Sequence, residues 1–480
     1  MAKLAKKPKK VKSQSLLNIA RESIIHYGKM TIENRAMPDF RDGMLPVHRR
    51  IMWAMFKRGL VPNGASLKSA TVVGDVIGEY HPHGDSSVYK ALVGLVNSSA
   101  PLIKGQGNFG SVFGGDSAAA YRYTECKLTQ YAHHFVVNPG YMAIATLLDS
   151  FNGRSKEPLF IPSIVPDLLI NGTYGIAMGA TSIIPPFHPD GVFHLVERSL
   201  NGDKITANLC KKHLRINYPD GGHFAGDEES LMAFFKEGRG GLRLHPDYKV
   251  DRNKKTITIT GVPMGLTLER VVRTLGEHPR VAVNGINNLK EIETVITLKS
   301  TVSEKEVNSL AEEMIAKLGY TLASAVGITE RINEDDIRLM ETNIPTLIDR
   351  WVRYRIELEK TYQDHRFATL DEKQKYSELL VLAASNREVI IKALKTDNPA
   401  DQIAKKLNLT IEQANTILDL QVRRLSKLSE DELNNTINEL RKQKKEAKAI
   451  KNDPKSRIMG LLNLAANDSL ILRDGQRATK

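Results

Sequence analysis

Cysteine is nearly absent from this chain. Two thiols, Cys126 and Cys210, in 480 residues are too few for a disulfide scaffold, and their separation has no metal-ligand spacing. That excludes a small stapled secreted fold and fits a reducing compartment. Long apolar runs are lacking as well. No stretch could span a bilayer, and no signal peptide precedes the first helical pattern, so we expect a cytoplasmic protein with no membrane partner. No P-loop for a nucleotide is found. No acidic cluster has the pattern of a Mg2+ site, and no repeat of propeller-blade length recurs. Acidic side chains are missing from the first twelve residues, which hold six lysines; residues 1–15 read as a disordered basic arm.

What is present is positive charge. A net charge of +13 and a pI near 9.4 imply a polyanionic partner, nucleic acid before an acidic membrane. The length exceeds one compact core, so two to four domains are expected. From Leu16 to Met30 an amphipathic helix is predicted, with Leu17, Ala20, Ile24 and Ile25 on its apolar side. Pro46-Val47-His48-Arg49-Arg50 opens another, with proline at a favoured first-turn position. Its basic side chains suit either DNA phosphates or a solvated helix face.

The densest chemistry lies between Thr71 and Leu128. Val73, Val76 and Ile77 make one apolar stripe, and Val88, Leu92, Leu95 and Val96 make another at helical spacing. Between them His81-Pro82-His83-Gly84 must break the first helix, and Asp85 or Ser86 is the natural N-cap of the second. Two helices around a short turn are the geometry of a DNA-reading helix–turn–helix, but the pattern taken alone favours a plain helical hairpin. HPHGD also imitates a metallohydrolase motif, but no further ligand cluster follows it. KGQGNFG has the glycine spacing of a dinucleotide loop without the helix that should follow. A loop whose backbone packs close to another surface, with a phosphate among the candidates, is the better account.

Tyr123 is the candidate nucleophile. A phenol titrates near ~10, so attack on a phosphodiester needs positive charge beside it, both to favour phenolate and to steady the phosphoryl oxygens. Arg122 supplies a permanent guanidinium of the right shape for phosphate. A half-buried strand tyrosine is the plainer alternative.

NRAMPDFRDGMLPVHRR, VVGDVIGEYHPHGDSSVY, GQGNFG, DSAAAYRYTE and NGTYGIAMGATSIIPP resemble, in order and spacing, the A-type subunit of bacterial type IIA DNA topoisomerases, the family of gyrase A and topoisomerase IV A. The resemblance runs from about Leu16 to the 460s. It implies that Tyr123 forms a 5′-phosphotyrosyl link to cleaved DNA and that Arg122 stabilises the phosphate. It places Arg35, His48, Arg49, His81, His83, Ser86 and Lys90 along a DNA gate. Ile176 matches the isoleucine that wedges between base pairs and kinks the duplex. Leu45 stands where the gyrase subunit usually has a lysine, which leaves one DNA contact of the family unmatched. Lys90 replaces the family's acidic residue four positions after Ser86. In relatives that pair holds the water shell of a Mg2+ bridging to fluoroquinolones.

The architecture implied is α+β and multidomain. Residues 16–157 would form a winged-helix DNA-gate domain carrying the catalytic tyrosine, and 158–340 a connector and an α/β tower. Residues 341–460 would form a long antiparallel coiled coil with a helical dimerisation knob containing ILDLQVRRL, and 461–480 a return helix and tail. The coiled coil has support in the residues themselves: Leu347, Trp351, Tyr354 and Leu358, then Leu433, Ile437, Leu440 and Ala447, recur at heptad-like steps. The activity implied is ATP-dependent relaxation and decatenation, by a transient double-strand break and strand passage. Partners would be double-stranded DNA, a second copy of the chain and a B-type subunit in an A2B2 complex. Mg2+ and ATP would sit on that B-type subunit, with no metal held by this chain. Gyrase A continues into a DNA-wrapping domain, so the expectation is a subunit without it, either shortened or naturally short as in some large bacteriophages. A catalytically silent DNA-binding protein is the alternative.

Overall fold

In the computed structural model, residues 15–111, 115–288, 293–333, 336–419 and 430–467 are described. They form two compact units, residues 15–354 with 462–467, and residues 355–461. Among the described residues, no helix is long and apolar enough to cross a membrane.

The first unit begins with α1 (Leu16–Thr31). The predicted helix forms, but its apolar residues Leu17, Ile24 and Ile25 lie exposed in the single chain. It runs into a wide π-helical turn, Ile32–Ala36. Helix α2 (Pro46–Lys57) starts at its proline and buries Ile51, Met52, Trp53 and Met55. Next come α3 (Ser69–Glu79) and α4 (Asp85–Val96). Val73, Val76, Val88 and Leu92 are buried, as the periodicity requires, and Val72 joins them. The amide of His81 closes the end of α3 on the Val76 carbonyl at 2.7 Å, and Pro82 ends the ladder there. The cap of α4 shifts by one residue from expectation. Gly84, in extended backbone, takes the N-cap place, and Asp85 is the first helical residue.

A three-stranded antiparallel sheet leans on these helices. Its order is β1 (Leu67–Lys68), β3 (Glu125–Leu128), β2 (Ile103–Gln106), with Cys126 opposite both Leu67 and Gly105. The hairpin β4 (Leu147–Asp149) and β5 (Lys156–Pro158) is tied to α2, where the Trp53 indole donates to the Lys156 carbonyl at 2.7 Å. A second hairpin, β6 (Thr173–Ala177) and β7 (Ala180–Ile184), edges a five-stranded sheet completed by Tyr320–Ala325, Arg239–His245 and His223–Phe224.

A separate four-stranded sheet holds Asp247–Asp251, Thr256–Gly261, Glu293–Leu298 and Val281–Asn288 in that order. Ile257, Ile259, Ile296 and Leu298 pack there with Val271 and Leu275 of the helix Leu268–Gly276, and with Met314 of the helix Val307–Lys317. Just before that last helix, Ser303 bonds the Glu306 carboxylate through its amide and hydroxyl.

The long helix Ile344–Ser385 begins in the first unit and ends in the second. Within the second unit its partner is the helix Glu430–Asn452. Lys451 meets Asp364, Arg366 meets Glu446, and Arg441 meets Glu378. The numbers rise on one helix as they fall on the other, so the two run antiparallel. Short helices Arg387–Ala393, Pro399–Leu407 and Ile411–Leu418 share a small core of Ile390, Ile403, Ala414 and Ile417. Residues 420–425 of the ILDLQVRRL segment, the arm before residue 15 and the tail after 467 lie outside the described residues.

Candidate active site

Tyr123 and Arg122 sit on a turn just before β3, so the central strand of the small sheet decides where they stand. The turn is gripped from several sides. Ser69 and Ala70, at the start of α3, donate their amides to the carbonyls of Thr124 (2.9 Å) and Tyr121 (3.2 Å). The Tyr89 hydroxyl on α4 donates to the Ala119 carbonyl at 2.7 Å, and the Thr124 hydroxyl donates to that of Ser69 at 2.8 Å. Behind the turn Gly107 adopts φ +107°, a backbone that side chains rarely take, and a Cβ there would meet Thr124 in ordinary contact at 3.5 Å. Gly110 lies against the Asp116 carbonyl. The close approach read from KGQGNFG is therefore to this chain's own backbone.

On this rigid base Tyr123 is 65% exposed. The Arg122 guanidinium lies over its ring, 4.6 Å from the centroid. A phenol held out to solvent with a cation against its face can meet an anionic phosphorus centre. The plainer alternative of a half-buried strand tyrosine is not what the fold builds.

A second group gathers at the break between α3 and α4. Arg35, in the π-helical turn, donates to Nε2 of His83 at 3.2 Å. The His83 ring stands edge-on to His81, centroids 4.5 Å apart. Arg50 donates to Nδ1 of His81 at 2.9 Å and grips Glu157 with two bonds of 2.6 and 2.9 Å. Burial, then the positive charge of Arg50, holds the His81 imidazole down at about 4. Glu157 was not singled out in the sequence, and Arg50 was read there only as a phosphate contact or part of a solvated face. Only the fold brings the hairpin β4–β5 against α2.

Arg49 and His48 stand apart from this group. Arg49 is 4% exposed and bonded to both Asp42 oxygens (2.7 and 3.0 Å) and to the Met44 carbonyl (3.0 Å). Its donors face inward, so it makes no solvated face, one of the two options the sequence left. Asp42 also accepts from the amides of Met44 (2.9 Å) and Ile161 (2.8 Å). The half-buried His48 is pushed down to about 4 by burial and then by Arg49.

Ser86 and Lys90 are exposed on α4; the Ser86 hydroxyl lies 3.3 Å from Asp85 Oδ1. Ile176 is 58% exposed on β6, with Tyr174 and Met178 exposed on the same hairpin. A Cβ on Gly175 would fall 1.8 Å from the Ala36 carbonyl and 3.6 Å from Leu45. The hairpin thus lies directly against the segment that carries Arg35.

No three His, Cys, Asp or Glu side chains among the described residues could together hold a metal ion. Near Tyr123 the carboxylates are already engaged: Glu125 pairs with Lys68 at 2.8 Å, and Asp85 accepts from Tyr121. These residues do not fit a metal.

The fold thus presents an exposed Tyr123, with Arg122 against its ring, on a turn packed on α3 and α4. The chain belongs to the family of the DNA gyrase/topoisomerase IV A subunit, whose model matches residues 35–463. It is 33% identical to the A subunit of DNA topoisomerase 4 from Caulobacter vibrioides, covering 85% of this chain and 55% of that one. It is 31% identical to the A subunit of DNA gyrase from Clostridium acetobutylicum (92% and 54%) and 28% identical to that from Staphylococcus aureus (97% and 53%). The chain therefore spans about half the length of the curated relatives it matches.

Proposed function

We propose that this chain is the DNA-cleaving and rejoining part of a type IIA topoisomerase. The observation that carries the reading is the exposed Tyr123 phenol, on a multiply anchored turn, with Arg122 on its ring. The phenol oxygen attacks a backbone phosphorus and forms the 5′-phosphotyrosyl ester. The bond to the 3′ oxygen breaks, and that oxygen takes up a proton as the phenol loses one. The returning 3′-hydroxyl reverses both changes, so bond energy is conserved. Arg122 steadies charge on the phosphoryl oxygens. Two copies, cutting opposite strands, open a gate for a second duplex.

In this reading α3 and α4 with the small sheet are the winged-helix DNA gate of residues 16–157. The sheets of 158–340 are the connector and tower, and the antiparallel helices of 341–460 carry the dimerisation knob. Arg35, His83, Ser86, Lys90 and Ile176 offer exposed atoms to DNA. His81 and His48 support the gate from partly or wholly buried positions, and Arg49 supports it from inside. The uncovered apolar side of α1 fits a chain that works in an assembly. ATP and Mg2+ belong to a B-type subunit in an A2B2 complex.

The test is a denaturant-resistant protein–DNA adduct, formed with a B-type subunit, Mg2+ and duplex DNA. Wild type should form it and Tyr123→Phe should not. DNA binding without an adduct in wild type would make the chain a silent DNA-binding protein. An adduct undiminished in Tyr123→Phe would put the nucleophile elsewhere.

A further inference from the structure

Asp85 and Tyr89 are four residues apart on α4 and so share one face. Tyr121, two residues before Tyr123, covers that face. Its ring stands edge-on to Tyr89, centroids 5.6 Å apart at 74°, and its hydroxyl donates to Asp85 Oδ2 at 2.7 Å. Asp85 is held in place by its other oxygen, which accepts the Ser86 amide at 2.7 Å. The Tyr121 hydroxyl, then the Ser86 amide, keeps the Asp85 carboxyl below its usual range, so it stays a charged acceptor. Helix α4 therefore holds the turn ahead of Arg122 and Tyr123, through Ala119 and Tyr121, and behind them, through Thr124.

These ties differ in kind. Those of Tyr89, Thr124 and Ser69 lie in the core. The Asp85–Tyr121 bond lies at the solvent edge, where it can be cut without opening the fold.

We propose that Asp85 and Tyr121 form a latch between the DNA-facing helix α4 and the Arg122–Tyr123 turn, and that both are positioning residues for strand cleavage. The proposal rests on the function proposed above. The latch sets the phenol oxygen relative to the helix that offers Ser86 and Lys90 to the backbone, so DNA seated on α4 finds Tyr123 already aimed. A loss of aim costs rate rather than affinity, because attack requires near-ideal alignment while binding does not.

The experiment uses the chain with a B-type subunit, Mg2+ and a duplex, measuring adduct formation in a single turnover beside DNA affinity. Tyr121→Phe keeps the ring on Tyr89 and removes only the hydroxyl. It should slow adduct formation about tenfold, the scale of one charge-assisted hydrogen bond, with Kd within about twofold. Asp85→Ala should match it, and the double variant should be no slower than either single. Asp85→Asn, which still accepts a bond, should recover most of the rate. Unchanged rates, additive slowing in the double variant, or rate and affinity falling together would overturn the latch. If wild type forms no adduct, the parent reading fails, and the latch is judged by amide exchange in residues 117–124 of the chain alone. Exchange should quicken in Tyr121→Phe, and equal exchange would overturn the latch by itself.

Discussion

Arg50 donates to Nδ1 of His81 at 2.9 Å, and a guanidinium has nothing with which to accept. The neutral imidazole must therefore accept at Nδ1 and carry its proton on Nε2. Glu157, with two bonds to the same guanidinium, fixes the orientation. His81 is thus a neutral hydrogen-bond donor at the break between α3 and α4, and not a cation that pairs with phosphate. Nitrogen-detected NMR should find the Nε2–H form and a midpoint near 4. Arg50→Ala removes a charge that lowers the midpoint and should raise it. A wild-type His81 titrating at the ordinary 6.5 would refute the arrangement.

The same depression governs acid stability. His48 and His81 sit at about 4 in the folded chain against an ordinary 6.5. The unfolded chain thus takes up protons first, and stability present above pH 6.5 is lost as pH falls through 4. At ~1.4 kcal/mol per pH unit, each contributes at most roughly 3 kcal/mol to that slope. Denaturant titrations of His48→Gln and His81→Gln should show a shallower fall than wild type across this window. Identical slopes would remove both histidines from the account.

Asp167 works in the opposite sense. Burial lifts its carboxyl to about 7, against the hydrogen bonds from Tyr131 (2.8 Å) and Asn171 (3.0 Å). A folded acid raised above 3.8 loses stability as pH rises from there through 7. Asp167→Asn keeps an acceptor and removes the charge. It should stabilise the protein at pH 8 by up to roughly 4 kcal/mol, and far less at pH 4. Equal effects at both pH values would contradict burial of the charge as the cause.

Gly175 has no room for a side chain. A methyl group there would sit 1.8 Å from the Ala36 carbonyl, so the β6–β7 hairpin or the segment bearing Arg35 must move. Gly175→Ala should lose ~1–3 kcal/mol, as overpacking does, and weaken DNA bending measured by end-to-end energy transfer. Wild-type stability and bending together would show that the contact is slack.

Lys90 carries the prediction about drugs. It is exposed on α4, four residues from Ser86, and an ammonium cannot accept a bond from metal-bound water. Where the chain cleaves DNA as proposed, fluoroquinolones should poison that cleavage weakly, and Lys90→Glu or Lys90→Asp should increase drug-stimulated cleavage several-fold. Wild-type sensitivity equal to that of relatives with the acidic residue would defeat the idea.

Much of this was legible in the sequence. The helices α1 to α4, the break at Pro82 and the heptad steps of the long helix follow from local periodicity and proline geometry, which act within a few residues. The Tyr123–Arg122 pair was legible because the two are adjacent. What only the tertiary structure decided is partnership across distance. Arg49 and Arg50 are neighbours on α2, yet one turns inward to Asp42 and the other meets Glu157, 107 residues away. The sequence offered phosphate or solvent for both. Close packing of Gly110 against Asp116, and of Gly175 against Ala36, likewise depends on which backbone the fold brings near. The latch between Asp85 and Tyr121, 36 residues apart, belongs to the same class. Periodicity says which face of a helix is buried, but a buried charge takes its partner from whatever the assembled fold sets within reach.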